Sequence, residues 1–195
     1  MNWTRISTLA VLALLAASGA RASEPRADDF REDDIGNKAF ILLSTSNWGT
    51  PSYLPGKHWF MGVVMEMRRT DAGGGKRRRY VQFMIDEPSR KSHFPDEFGQ
   101  VYWRSLEPGD YVMKIQVLRS GVCAKNAPEW HFTFKAGDVL YLGNFYFDGA
   151  AVVLRDTYER DYAYFVGNTH GVKPARFVPA NSRVVLNDGA CPGQQ

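Results

Sequence analysis

Short apolar runs separated by Gly, Pro, Asn and Asp fill the chain from residue 38 onward. Residues 38–45 (KAFILLST) are almost continuously apolar, which predicts a strand covered on both faces. Residues 59–68 place Trp59, Met61, Val63, Met65 and Met67 on one strand face, and residues 80–86 alternate apolar with polar positions. The glycine-rich stretch 71–75 between them predicts a hairpin. Further strands are predicted at 100–104, 110–118, 130–134, 138–147 and 150–155, with a last short strand or edge pairing at 176–178 and 183–186.

One segment breaks this strand pattern. Residues 156–159 (DTYE) place a carboxylate three positions after a capping residue, which is the spacing of a helix N-terminus. Tyr158, Tyr162 and Phe165 then recur at helical spacing, which predicts a helix over 157–166 with its aromatic stripe packed on a sheet. A strand is the alternative, since the stretch is rich in β-formers. The whole pattern predicts an all-β fold, an antiparallel β-sandwich of about eight strands with one short C-terminal helix.

The first 22 residues have the order of a secretory signal peptide. A positive charge precedes an unbroken apolar run over residues 9–17, and Ala20 and Ala22 stand at the two positions that a signal peptidase inspects. The run is well short of the roughly 20 residues that a membrane span needs. We therefore expect residues 1–22 to be removed before Ser23, and the mature chain to be periplasmic or secreted without a transmembrane segment.

Export changes how the charge of the chain is interpreted. The full sequence has 24 basic and 21 acidic residues, but Arg5 and Arg21 leave with the signal peptide. The mature chain then has 22 basic residues and a formal charge of +1 instead of +3. A nearly neutral exported protein gives no case for nucleic-acid binding.

The mature chain is expected to hold one domain. Residues 23–37 are charged and nearly free of large apolar groups, which predicts a flexible leader or a lightly packed arm. Residues 38–195 have the size of a single domain with a real core. Cys123 and Cys191 both lie in that domain, and an even cysteine count in an exported chain predicts a disulfide. Two unpaired thiols are the alternative.

Two stretches carry a resemblance to a known kind of domain. Residues 103–111 (WRSLEPGDY) resemble the L-x-P-G-x-Y entry of small exported β-sandwich domains. Residues 135–143 (KAGDVLYLG) resemble the strand that closes the same unit. The pair is similar to uncharacterised bacterial domains of the DUF2846 and PEGA-like kind. That resemblance implies an exported β-sandwich and assigns no catalytic residue.

Two surface features are candidates for contact with a partner. Six positive charges are concentrated at the predicted hairpin tip, where they suit the phosphates of an envelope glycolipid, an anionic wall polymer or an acidic protein. A solvated strand end is the alternative. An aromatic loop suits stacking on sugars or partner surfaces, unless its rings pack down on the sandwich. The residues concerned are Arg68, Arg69, Lys76, Arg77, Arg78 and Arg79 in the hairpin, and Trp48, Tyr53 and Trp59 in the loop.

Signals for enzymatic chemistry are weak. The four histidines, His58, His93, His131 and His170, are widely spaced and form no metal-binding pair, so we expect no metal site and no cofactor. No G-x-S-x-G motif marks a nucleophile. The sequence favours a non-enzymatic binding or structural protein of the cell envelope. A carbohydrate-binding module built on the aromatic loop and a hydrolase with an unrecognised site are the alternatives.

Overall fold

The computed structural model describes residues 29–48, 63–70, 80–85, 91–117, 127–149 and 151–187. This part of the chain forms a short 3₁₀ helix (Glu32–Asp34), ten strands and one α-helix. The strands are β1 (Ala39–Asn47), β2 (Val63–Arg69), β3 (Tyr80–Met84), β4 (Phe98–Leu106), β5 (Gly109–Val117), β6 (Ala127–Phe134), β7 (Val139–Phe147), β8 (Val152–Arg155), β9 (Val178–Pro179) and β10 (Arg183–Asn187), and the helix is α1 (Tyr158–Asn168). The predicted all-β sandwich with one short helix is confirmed.

The strands divide into two sheets. The first sheet has the order β4-β1-β7-β8, with β9 also paired to β7, and the second has the order β10-β6-β5-β2-β3. Six strand pairs are antiparallel: β1–β4, β7–β8, β2–β3, β2–β5, β5–β6 and β6–β10. β1 and β7, however, run parallel, as do β7 and β9. The sequence pattern does not indicate this, because five strands from both sheets, β2 to β6, separate β1 from β7 along the chain.

β1 is covered on both faces, as its continuous apolar run predicts. Ala39, Ile41 and Leu43 face the second sheet and belong to the core between the two sheets. Phe40 and Leu42 face the opposite way, into a second core that is covered by α1. All five side chains are buried. We call the α1-covered face of the first sheet its helix side.

The core on the helix side is largely aromatic. Phe165 of α1 packs edge-on against Phe177 and Trp103, which confirms that the aromatic stripe of the helix lies on a sheet. Phe30 stacks on Phe40 with ring centroids 4.3 Å apart. Phe30 therefore packs against the helix-side core, whereas most of residues 31–37 are exposed. α1 has 11 residues, and no described helix is long and apolar enough to cross a membrane.

The strand register shows which elements share an end of the sandwich. Ala39 pairs with Leu106 at the end of β4, and β5 begins at Gly109 after a two-residue connection. Arg69, at the end of β2, pairs with Tyr111 in the first part of β5. β1 therefore begins at the end where the β2–β3 hairpin turns, which we call the hairpin end. The other end, where β1 and β5 finish and β2 and β6 begin, we call the loop end.

Removing the Phe165 ring should destabilise the protein strongly. We expect Phe165→Ala to lower the free energy of unfolding by about 3–5 kcal/mol, because a fully buried ring leaves a cavity between α1 and the first sheet. Urea denaturation measures the change. Val166→Ala, at the next and exposed position of the helix, should change it by less than about 0.5 kcal/mol. Equal effects of the two substitutions would contradict this packing.

Candidate functional site

A cluster of buried polar side chains lies on the helix side of the first sheet, beside the first turns of α1. Strands β1 and β7 contribute Ser44 and Asn144, which are partners in the parallel register. The helix contributes Asp161, and all three side chains are buried. Around them lie Ser46, Tyr141, Thr157 and Arg160, and we call this set the Asp161 cluster.

The Asp161 carboxylate accepts four hydrogen bonds. Its Oδ2 atom accepts from Ser44 Oγ at 2.5 Å, from Tyr141 OH at 2.8 Å and from Thr157 Oγ1 at 2.9 Å. Its Oδ1 atom accepts from Arg160 Nε at 2.9 Å. A buried carboxylate is costly unless it is paired and hydrogen-bonded, and here both oxygens are satisfied.

The network continues from Asp161 in two directions. Along the sheet, Asn144 Nδ2 donates to Ser44 Oγ at 2.7 Å, and Ser46 Oγ donates to Asn144 Oδ1 at 3.0 Å. Towards the surface, the Arg160 guanidinium donates to Glu97 and lies 3.6 Å from the centroid of the Phe94 ring. The cluster thus connects the two central strands, the helix and the segment before β4.

The Asp161 cluster also explains how the helix begins. Thr157 is the N-cap, but its hydroxyl donates to Asp161 and accepts from Arg160 Nη2 at 3.0 Å. It therefore makes no capping bond to a helix N–H. Asp156 takes over part of that role, since its Oδ1 accepts from the Tyr158 N–H at 3.1 Å.

The chemistry available to the Asp161 cluster is structural. Ser44 and Tyr141 both donate their hydroxyl protons to the carboxylate, so neither lies beside a free base. Burial raises the pKa of the Tyr141 phenol, and the negative charge of Asp161 raises it further. These hydrogen bonds hold α1 on the sheet.

An open cavity of about 540 Å³ lies next to the first turn of α1. Its charged lining comes from Asp156, Glu159, Arg160 and Arg176, two acidic and two basic residues. Phe177 and Pro179 supply part of its wall. Acidic and basic side chains thus both line this cavity.

Trp48 lies at the loop end, directly after β1, and most of its surface faces solvent. Its side chain is 69% exposed, whereas Trp103 and Trp130 are buried in the two cores. Gly149, in the turn between β7 and β8, has φ +99°, and a Cβ there would stand 3.1 Å from Trp48 Nε1. The glycine therefore lets the indole lie against the turn while the rest of the ring remains accessible.

Arg68 and Arg69, the described basic residues of the hairpin, lie at the opposite end from Trp48. The antiparallel pairing of β2 with β3 confirms the predicted hairpin. Arg68 forms an ion pair with Glu66, and its guanidinium lies 6.0 Å from the centroid of the Tyr80 ring. Arg69 is the last residue of β2. The described members of the two predicted contact surfaces, Trp48 on one side and Arg68 with Arg69 on the other, therefore do not form one site.

Several predicted residues lie outside the described part of the chain, and those predictions stay as they are. They are Tyr53, Trp59, Lys76, Arg77, Arg78 and Arg79 of the two contact surfaces, Cys123 and Cys191 of the disulfide, and His58.

The described histidines have separate environments. His93 Nδ1 accepts a hydrogen bond from the Val101 N–H at 3.0 Å, and its ring stacks on Tyr164. His131 Nε2 lies 3.9 Å from Glu129 Oε2, beyond hydrogen-bond reach. His170 is exposed. Among the described residues, no group of three or more His, Cys, Asp or Glu side chains is placed to hold a metal ion.

No protein-family model, curated protein or solved structure matches this chain. The similarity to DUF2846 and PEGA-like domains therefore stays a prediction. In the structure, its two stretches are the β4–β5 connection and the β6–β7 connection with the strands beside them. A function for the protein must be argued from its own geometry.

Sequence reasoning did not identify the Asp161 cluster. One signal was present: Ser44, Thr45 and Ser46 follow one another inside a strand that otherwise reads as buried. Buried hydroxyls need partners, so three in a row indicate a polar network. The acceptor itself is 117 residues away from Ser44, and no local pattern points to it.

The buried phenol of Tyr141 predicts a loss of stability at alkaline pH. Unfolded Tyr141 releases its proton near pH 10.0, whereas the folded state keeps the proton to higher pH because its pKa is raised. Above about pH 10 the unfolded state thus binds fewer protons, and this group lowers the free energy of unfolding by up to about 1.4 kcal/mol per pH unit. Urea denaturation of wild type and Tyr141→Phe between about pH 9 and 11 should show a shallower decline in the variant.

The exposed Tyr80 provides the control for this measurement. Tyr80→Phe should leave the alkaline decline as it is in the wild type. If Tyr141→Phe declines as steeply as the wild type, the phenol does not hold its proton in the way the structure indicates.

Proposed function

We propose that the protein is an exported, non-enzymatic binding module of the cell envelope that holds a carbohydrate against Trp48. The observation that carries the proposal is the Trp48 ring, exposed to 69% and placed on a glycine turn. A tryptophan offers a flat apolar face together with a polar N–H, and this combination suits the face and hydroxyls of a sugar ring. The signal-peptide pattern of residues 1–22 supports export.

The surroundings of Trp48 favour a rigid platform. Ser46, two residues before it, is buried and bonded to Asn144 within the Asp161 cluster. Gly149 sets the distance between the indole and the β7–β8 turn. A binding side chain works best when its supporting residues are locked by packing and hydrogen bonds. The platform therefore directly follows a hydrogen-bonded part of the first sheet.

The aromatic loop begins at this same platform. It leaves the described strands after Trp48 and returns at Val63, both at the loop end. Tyr53 and Trp59 belong to this loop and are proposed to contribute further stacking surfaces. The basic residues at the hairpin end are not needed for this binding.

The two cysteines of the chain are proposed to form a pair. Cys123 and Cys191 both lie in the mature part of a chain that begins with a signal-peptide pattern. Exported proteins meet oxidising conditions, in which an even number of cysteines favours disulfide formation. We propose that these two cysteines are bonded in the mature protein.

Export and the disulfide can be tested together by expressing the full chain in a bacterium that has a periplasm. We expect mature protein that begins at Ser23 and is two hydrogens lighter before reduction than after it. The two thiols give up two protons and two electrons to an oxidised dithiol of the host's thiol oxidase. Cys191→Ser should leave one thiol that reacts with maleimide. A chain that keeps Met1, or two reactive thiols in denatured wild type, would contradict the proposal.

Binding at Trp48 can be tested by titrating soluble peptidoglycan fragments and a panel of envelope oligosaccharides, with tryptophan fluorescence as the readout. We expect a blue shift on saturation in the wild type, and a Kd at least about tenfold higher for Trp48→Ala, measured by calorimetry. Tyr80→Ala removes an exposed ring at the hairpin end and should bind as the wild type does.

The salt dependence of the Kd distinguishes sugar stacking on Trp48 from binding by the basic hairpin. Stacking on Trp48 should change little with added salt, whereas attraction between exposed charges is screened. The proposal fails if the wild type binds nothing in the panel, or if Trp48→Ala binds as tightly as the wild type.

A further inference from the structure

β10 forms one edge of the second sheet and exposes a row of apolar side chains. It pairs with β6 on one side and is the terminal strand in the order β10-β6-β5-β2-β3. Val184 is 53% exposed, Val185 is 37% exposed and Leu186 is 68% exposed. Three consecutive exposed apolar residues on an edge strand indicate a surface that is suited to pairing with another strand.

The register gives the direction of each side chain. Val184 pairs with Trp130, whose ring is part of the core between the sheets. Directly paired residues share a face, so Val184 and Leu186 lie on the core side of the second sheet, and Val185 lies on the outer side. The layer of core side chains thus continues past β6 onto β10, where it meets solvent.

The usual protection of an edge strand is missing from β10. Proteins block such edges with lysine, proline, bulges or inward-pointing charges. β10 contains no proline, its pairing with β6 has no register shift, and Arg183, its only charged residue, is its first residue.

We propose that β10 pairs antiparallel with β10 of a second copy of this chain, across a two-fold axis at Val185. In this register Val184 of each copy faces Leu186 of the other, on the core side, and the two Val185 side chains meet on the outer side. Arg183 of each copy faces Asn187 of the other, so no like charges are opposed. Two five-stranded sheets then become one sheet of ten strands.

The sequence of β10 favours a second copy of this chain as the partner that pairs with its free edge. The apolar positions are symmetric about Val185, and the single charge stands at one end, so the sequence is complementary to itself when antiparallel. A two-fold interface requires this self-complementarity, because each residue that contacts a second is contacted by it in return. Pairing also satisfies the edge N–H and C=O groups of β10, as in other strand-addition complexes.

The proposal can be tested by placing a charge at the two-fold axis. The oligomeric state is then measured by sedimentation equilibrium at micromolar concentrations. Wild type should be a dimer. Val185→Lys places two like charges opposite each other and should give a monomer. Val153→Lys, at an exposed valine of β8 in the first sheet, is the matched control and should remain a dimer. Both variants should show wild-type circular dichroism, since both positions are on the surface.

Charge reversal supplies an independent check on folding. Val185→Glu alone should be monomeric, but an equimolar mixture with Val185→Lys should form a heterodimer, because Lys then faces Glu across the axis. A monomeric wild type, a dimeric Val185→Lys, or a mixture that stays monomeric would each overturn the proposal. None of these outcomes depends on glycan binding at Trp48.

Discussion

The buried carboxylate of Asp161 is the interaction on which the rest of this structure depends. Desolvating an isolated charge costs several kcal/mol, so Asp161 is tolerable only where four donors converge. These donors come from β1, β7, the helix N-cap and the neighbouring Arg160. Satisfying one charge therefore sets the position of α1 on the first sheet, and α1 in turn closes the aromatic core around Phe165.

This constraint also organises the surface. Arg160 extends from Asp161 to Glu97, and Ser46 links the same network to the last residues of β1. The loop end is thus supported from inside, and Trp48 stands immediately after that support. The hairpin end differs from the loop end, because Arg68 there is already paired with Glu66. It also lies the full length of β1 away from Trp48. Among the described residues, Trp48 thus follows a hydrogen-bonded strand end, and Arg68 at the other end is held by its ion pair.

Local patterns predicted those features that depend on neighbours in sequence. The continuous run at residues 38–45 indicated a strand buried on both faces, and the spacing of Tyr158, Tyr162 and Phe165 indicated a helix packed on a sheet. Local patterns could not predict the parallel pairing of β1 with β7, because the sequence of an apolar strand does not indicate which strand it pairs with. The partners of Asp161 were equally hidden, since Ser44 is far from it in sequence.

The sequence by itself determined the fold class, the order of strands and helix along the chain, and the expectation of export. These follow from periodicity, from capping spacing and from an apolar run near the N-terminus. Only the tertiary structure decided which polar residues meet, which tryptophan faces solvent and which strand is left at an edge. Those properties are set by contacts between segments that are distant in the chain. Trp48, Trp103 and Trp130 illustrate the difference: three identical side chains, of which the packing of the sheets leaves one exposed.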